Sequence, residues 1–176
     1  TVTSTDVDGG APAYTISGGA DAALFTIDSA TGALTFNAAP NFEVPADAGA
    51  NNVYDVTVQV ADGNGGFDTQ AIVVTVTNTN EAPVITSGAA VSVTENQTSV
   101  LTVTSTDVDG GAPAYTISGG ADAARFTIDG VTGALTFNAA PNFEAPADVG
   151  ADNVYDVTVQ VADGNGGFDT QAIAVT

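Results

Sequence analysis

Tyr54-Asp55-Val56-Thr57-Val58-Gln59-Val60, YDVTVQV, alternates apolar and polar residues through seven positions. An extended strand sends successive side chains to opposite faces. Tyr54, Val56, Val58 and Val60 therefore share one face, and Asp55, Thr57 and Gln59 the other. The same seven letters return at Tyr155–Val161. Shorter alternations flank them. Phe25 and Ile27 form one pair, Leu34 and Phe36 another, and Ile72, Val74 and Val76 a third inward set. Val73 falls on the opposite face, and its counterpart is Ala174, as suits a solvent position. Val91, Val93 and Val100 alternate in the stretch between the two copies.

Glycine-rich turn signals separate these runs: Asp8-Gly9-Gly10, Ser17-Gly18-Gly19, Thr31-Gly32 and Asp62-Gly63-Asn64-Gly65-Gly66. Asp, Asn and Gly favour such turns through Asx hydrogen bonds and positive φ. No stretch carries helical periodicity. Working outward, Thr1–Thr75 aligns without gaps onto Thr102–Thr176, and 68 of 75 positions match. The differing pairs are Leu24/Arg125, Ser29/Gly130, Ala30/Val131, Val44/Ala145, Ala48/Val149, Asn51/Asp152 and Val73/Ala174. Closely spaced strands and two near-identical units predict an all-β chain of tandem seven-stranded Greek-key, Ig-like β-sandwiches. The units are predicted at 1–79 and 80–176. Asn80–Leu101 occurs once, so the first unit lacks its opening strand and the chain reads as a window on a longer array. Phe25, Leu34, Phe36, Tyr54 and the valine faces are the expected core.

Charge narrows the function. The chain holds 21 acidic residues, one basic residue (Arg125), no His and no Cys. Phosphate contacts need Lys and Arg, so nucleic acid is excluded as a partner. Anionic membrane surfaces are excluded likewise, and no apolar run approaches the roughly 18 residues of a membrane span. A formal charge of −20 repels itself and calls for divalent cations, salt or both. Two carboxylates suffice for glycoside hydrolysis. Here, however, the carboxylates sit in repeated turn motifs without a His or Cys nucleophile system, and the reading is of a protein that is not an enzyme. Asp28, Asp47, Asp68, Asp129, Asp148 and Asp169 read as solvated or turn residues. Asp21 and Asp122, in GGAD, are open between roles.

An ordered set of motifs carries a resemblance. The second unit opens with Ala82-Pro83-Val84-Ile85, followed by Thr94-Glu95-Asn96 and Asp107-Val108-Asp109. Then come Tyr115–Phe137 (YTISGGADAARFTIDGVTGALTF), Pro141-Asn142-Phe143-Glu144 and Val161–Gly167 (VADGNGG). Asn78-Thr79-Asn80-Glu81-Ala82-Pro83 joins the units. This set resembles the cadherin family, particularly the cadherin-like repeats of large bacterial surface adhesins. The chain departs where Asn41 and Asn142 stand for an aspartate of the LDRE motif, and where Asn78 stands for the first linker aspartate.

The resemblance implies Ca²⁺ at junctions between consecutive repeats. Hard oxygen ligands are what Ca²⁺ takes, six to eight of them, and a chain without Cys or His offers no soft or imidazole alternative. The implied ligands at the internal junction are Asn41 and Glu43 of the first unit, Asn78, Asn80 and Glu81 of the linker, and Asp107, Asp109 and Asp163 of the second unit. Asp6, Asp8 and Asp62, and at the other end Glu95, Asn142 and Glu144, would be half-sites. The implied function is an extracellular, cell-surface repeat that extends and supports adhesion or biofilm attachment. Its partners are neighbouring repeats of the array, other copies of itself or polysaccharide. A filament or surface-layer subunit and a homophilic or polysaccharide-binding module are the alternatives.

Overall fold

The computed structural model describes residues 1–176. The chain divides into two compact units, Thr1–Thr79 and Asn80–Thr176. Both are built from β-strands, apart from a single 3-10 turn in each, Ala22–Leu24 and Ala123–Arg125. Those turns directly follow the GGAD segments, with no helical period to announce them.

Unit 1 has five strands: β1 (Ala13–Gly18), β2 (Phe25–Ile27), β3 (Leu34–Phe36), β4 (Val53–Ala61) and β5 (Phe67–Thr75). YDVTVQV forms most of β4, which is central in the antiparallel sheet β1-β4-β5. β2 and β3 pair as a second, two-stranded sheet. The register sets Tyr54 opposite Val74 and Val56 opposite Ile72, so the apolar faces of β4 and β5 coincide. Phe36 stacks on Phe25 at 4.4 Å and meets Tyr54 edge-on at 5.1 Å. Such offset and edge contacts suit the ring quadrupoles.

Unit 2 repeats this plan and adds to it. Its strands are β6 (Val84–Ile85), β7 (Ala90–Val91), β8 (Ser99–Thr102), β9 (Ser105–Thr106), β10 (Ala114–Gly119), β11 (Phe126–Ile128), β12 (Ala134–Phe137), β13 (Tyr155–Ala162) and β14 (Phe168–Val175). One sheet runs β10-β13-β14-β7 and the other β11-β12-β8, with β6 paired to β9. β7 joins the edge of β14 in parallel. Taking β6 with β7 and β8 with β9 as interrupted strands leaves the seven of an Ig-like sandwich. Unit 1 lacks counterparts of all four short strands, more than the single opening strand read from the sequence.

The consequence shows in residues of identical sequence. Val103, Leu135, Phe137, Val161, Ile173 and Val175 are buried, at 4% exposure or less. Their counterparts Val2, Leu34, Phe36, Val60, Ile72 and Val74 are only half-buried. In unit 2 the cover comes from Ile85, Val91, Val93, Val100 and Leu101. Burial depth therefore follows the opening segment, because the residues themselves are the same.

One pair of aspartates departs from the sequence reading, and a second pair that it left open is also buried. Asp47 and Asp148 are buried, not solvated. Asp148 accepts the backbone amides of Asp152 and Asn153, each at 3.0 Å, and Asp47 holds Asn51 and Asn52 the same way. Asp122 is buried too and accepts Val149 N at 2.8 Å and Asp156 N at 2.9 Å. Asp21 does the same with Ala48 and Asp55. These carboxylates tie the loop before β4 or β13 onto the sandwich. The tie holds Ala50 and Ala151 at positive φ, 48° and 53°, a conformation that costs a residue with a Cβ. Arg125 lies 3.8 Å from Asp122. Leu24 occupies its place in unit 1, where Asp21 is buried equally well, so backbone amides rather than the cation hold this carboxylate. Asp169, read as solvated, is partly covered and accepts Ile85 N at 2.9 Å.

Four phenylalanines stay outside the cores. Phe42, Phe67, Phe143 and Phe168 are exposed. Each follows a turn or lies in the PNFE loop, outside the alternating runs that reveal inward faces.

Candidate functional site

At one end of unit 2 the turn motifs are drawn onto the segment that opens the unit. Asp107 caps its own turn: its Oδ1 accepts Asp109 N at 2.9 Å. Asp163 Oδ1 accepts Asn165 N at 2.7 Å and Gly167 N at 3.0 Å. Asn80 Nδ2 then donates to Asp163 Oδ2 at 2.7 Å, and Glu81 N donates to Asp109 Oδ2 at 2.7 Å. One dipeptide thus spans two aspartate turns that lie 54 residues apart in sequence. Carboxylate oxygens of Glu81 and Asp109 approach within 4.8 Å. Asp107 and Asp163 line a common cavity of about 90 Å³ with Pro83, Ser105 and Pro113.

Gly167 permits the close approach. A Cβ there would run into Asp163 Oδ2 and come within 2.8 Å of Ala82 Cα. The Asn80 amide, against the opposing effect of burial and with the backbone amides of Asn165, Gly167 and Gly166, holds the Asp163 carboxyl below its usual range. The acid is therefore ionised throughout neutral pH.

Unit 1 repeats the turns. Asp6 Oδ1 accepts Asp8 N at 3.0 Å, and Asp62 Oδ1 accepts Asn64 N at 2.7 Å and Gly66 N at 3.0 Å. Asp6 and Asp62 line one opening, while Asp8 is exposed.

At the other end of unit 2, Glu95 Oε2 accepts Phe143 N at 3.2 Å, which brings the TEN and PNFE motifs together. Asn142 Oδ1 is turned inward on its own loop and accepts Glu144 N at 3.0 Å. Asn41 Oδ1 likewise accepts Glu43 N at 2.8 Å and Val44 N at 3.0 Å. An Asx turn thus engages the side-chain oxygen of both asparagines. Glu43 Oε1, by contrast, is enclosed with no hydrogen-bond partner. Asn78 is exposed in the strand-free stretch after β5.

The donor set suits a hard divalent cation. Asp107, Asp109, Asp163 and Glu81 offer carboxylate oxygens, and no nitrogen or sulfur ligand is near, since the chain has neither His nor Cys. Two of these carboxylates approach each other without a cationic side chain, Arg125 being the only one in the sequence.

Residues 80–176 match the family described as bacterial Ig domain. The chain belongs to the bacterial Ig domain family. A curated relative of this bacterial Ig domain chain is halomucin of Haloquadratum walsbyi, 42% identical over 77 residues. That match covers 41% of this chain and 1% of halomucin. Among solved structures, Drosophila N-cadherin EC1-4 superposes with a TM-score of 0.68 at 19% identity, covering 98% of this chain and 43% of that one. Human protocadherin-24 EC1-2 gives 0.63 at 20% identity, covering 97% and 83%. These bacterial Ig domains therefore have the cadherin-type sandwich, and the chain is a bacterial cadherin-like tandem repeat.

Proposed function

We propose that the chain is a calcium-binding extracellular repeat that lengthens and stiffens an array supporting cell adhesion. The observation that carries this reading is the gathering of Glu81, Asp107, Asp109 and Asp163 at one end of unit 2, held by Asn80 and by backbone amides. Ca²⁺ supplies the positive charge that lets such carboxylates stay close in a net field of −20. Glu81, Asp107, Asp109 and Asp163 are the residues that would hold it, with Asn80 orienting Asp163. Glu43, Asn41 and Asn78 are the contributions that the cadherin resemblance adds from the first repeat and linker. Asp6, Asp8 and Asp62 would serve a preceding repeat, and Glu95, Asn142 and Glu144 a following one.

The protein's own part is preorganisation. Hydrogen bonds from Glu81 N and Asn80 Nδ2 fix the orientation of Asp109 and Asp163 before any ion arrives, which lowers the ordering cost of binding. The Asx asparagines keep a carbonyl oxygen but no charge. Ca²⁺ affinity is tuned by ligand charge, so sites that rely on Asn41, Asn78 or Asn142 bind less tightly than all-carboxylate ones.

Small-angle scattering of the whole chain, with Ca²⁺ and then with excess EGTA, tests the reading. The maximum dimension should fall on chelation, and calorimetry should show saturable Ca²⁺ uptake that Asp109→Ala weakens by at least tenfold. Scattering curves that superpose in the two conditions would refute stiffening. Calorimetry without heat at millimolar Ca²⁺ would refute binding altogether.

A further inference from the structure

We infer that Asn165 is a site of spontaneous backbone rearrangement, converted to isoaspartate or aspartate through a cyclic imide formed with Gly166.

Asn165 lies in the turn Asp163-Gly164-Asn165-Gly166-Gly167, which joins β13 to β14. Of the chain's asparagines, Asn165 and its counterpart Asn64 alone precede glycine. Imide formation needs the following backbone nitrogen to reach the asparagine Cγ, and a Cβ on that following residue obstructs the approach. Gly166 has none, and the place a Cβ would take has no atom within 4 Å. A ring therefore has room to form. Gly166 is exposed with φ at 110°, a conformation that glycine adopts without steric cost.

The side chain is free to react. Asn165 is exposed, and its backbone N donates to Asp163 Oδ1 at 2.7 Å, but no hydrogen bond engages its carboxamide. Other carboxamides of unit 2 are held. Asn138 Nδ2 donates to Ala124 O at 3.0 Å, and its Oδ1 accepts Thr127 Oγ1 at 2.6 Å. Asn153 Nδ2 donates to Phe143 O at 3.1 Å. Asn96 is the informative comparison, because it too is exposed with an unengaged carboxamide, yet Gln97 follows it.

The chemistry balances with water alone. Gly166 N bonds to Asn165 Cγ as the Cγ–Nδ2 bond breaks, and Nδ2 leaves as ammonia with the Gly166 amide proton. Water then opens the imide. Cleavage at the main-chain carbonyl leaves the chain running through Cγ, which is isoaspartate, and cleavage at Cγ gives aspartate. Isoaspartate inserts a methylene into the backbone between residue 165 and Gly166. Asp163 Oδ1 accepts Gly167 N at 3.0 Å, and the longer path displaces that donor. Strand pairing begins at Ala162 opposite Phe168, outside the turn, so β13 and β14 keep their register. The rearrangement thus acts on the orientation of Asp163. Asp163 is among the residues proposed to hold Ca²⁺, and only that last link rests on the proposed function.

The test incubates the whole chain bearing Asn64→Ala in warm neutral buffer with EGTA. Asn64 is removed because the two turns give identical digestion fragments. Mass spectrometry of chymotryptic fragments follows conversion of amide to acid, and isoaspartyl methyltransferase labels the isomer. Asn165 should convert at least tenfold faster than Asn96. Asn165→Gln keeps an exposed amide before glycine but needs a six-membered ring, and should convert at least tenfold more slowly. In the converted chain, amide exchange at Gly167 should quicken at least tenfold while Ile173 is unchanged. Conversion at Asn165 no faster than at Asn96 overturns the inference, as does undiminished conversion in Asn165→Gln. Unaltered exchange at Gly167 after full conversion overturns the link to Asp163. EGTA is present throughout, so these outcomes are separate from those that test the proposed function.

Discussion

Ile173 and Ile72 are the same residue at equivalent places in two copies of one fold, and removing their side chains should not cost the same. Ile173 is 1% exposed, sits opposite Val157 and lies in a core that includes Ile85. Ile→Ala removes roughly three methylene equivalents, at about 0.8 kcal/mol each, and leaves a cavity that the surrounding sheets cannot fully close. The sum falls within the roughly 2–5 kcal/mol seen for buried Ile→Ala changes, and about 3–4 kcal/mol is expected here. Ile72 is half-buried, so part of that transfer is already forfeited and water can occupy the space. About 1 kcal/mol is expected there. For a unit of this size, each kcal/mol shifts the midpoint by about 4–8 °C. Ile173→Ala should therefore lower the melting of unit 2 by about 15–25 °C, and Ile72→Ala that of unit 1 by about 5 °C. Urea titration followed by hydrogen exchange and mass spectrometry reads the two units separately. Equal costs in the two units would refute the claim that the opening segment sets burial depth.

The buried aspartates make a second contrast. Asp122→Ala strands the Val149 and Asp156 amides, and at about 1–3 kcal/mol for each unsatisfied buried donor it should destabilise unit 2 by roughly 2–4 kcal/mol. Arg125→Leu, which installs the residue of the other copy, should shift the urea midpoint by less than about 0.5 kcal/mol, in keeping with a half-exposed ion pair. A larger effect of Arg125→Leu than of Asp122→Ala would show that the cation holds the carboxylate. Acid should open the neighbouring loop. Burial works to raise the Asp148 carboxyl, but the amides of Asp152 and Asn153 and its own loop hold it below the ordinary value. A depressed folded pKa gives stabilisation that is complete above the ordinary carboxylate value of about 3.9 and is lost as pH falls through the folded value. Protection factors of the Asp152 and Asn153 amides should thus be constant above pH 5 and decline below about 4. Loss already at pH 6, or none at pH 2, would contradict this account.

The alternation in YDVTVQV was enough to place β4 and β13, because a half-buried strand leaves a period-2 trace whatever surrounds it. Val73 is exposed as its offset from Ile72 and Val74 requires. The opening segment was harder to read. Val91, Val93 and Val100 gave an inward face, yet the segment is broken into two-residue and four-residue strands shared between sheets, and no periodicity reveals such a division. Acidic turns were legible as turns, and the hydrogen bonds around Asn80, Glu81, Asp109 and Asp163 bring together residues named from the ordered motifs. What sequence could not separate was a carboxylate that faces solvent from one that faces the backbone. PADAGANN and DVDGG both set Asp close to Gly. The first folds inward because Asp47 accepts amides from residues four and five positions ahead. The second turns on an amide two positions ahead and leaves its carboxylates near the surface.

Burial separates the aspartates of this chain into two groups. Where an aspartate's oxygens are both taken by amides of a longer loop, as at Asp148 and Asp122, the charge is satisfied internally and needs no ion. In a tight two-residue turn, as at Asp107, only one oxygen is engaged by the turn and the other remains available. Asp109 and Asp163 each lend an oxygen to the segment that opens the unit, which aligns them without exhausting their lone pairs. A carboxylate oxygen accepts in more than one direction, so such a group can be positioned by the protein and still coordinate. The candidate ligands Asp107, Asp109 and Asp163 thus differ from Asp122 and Asp148 less by acidity than by burial, being half-buried where those two are enclosed.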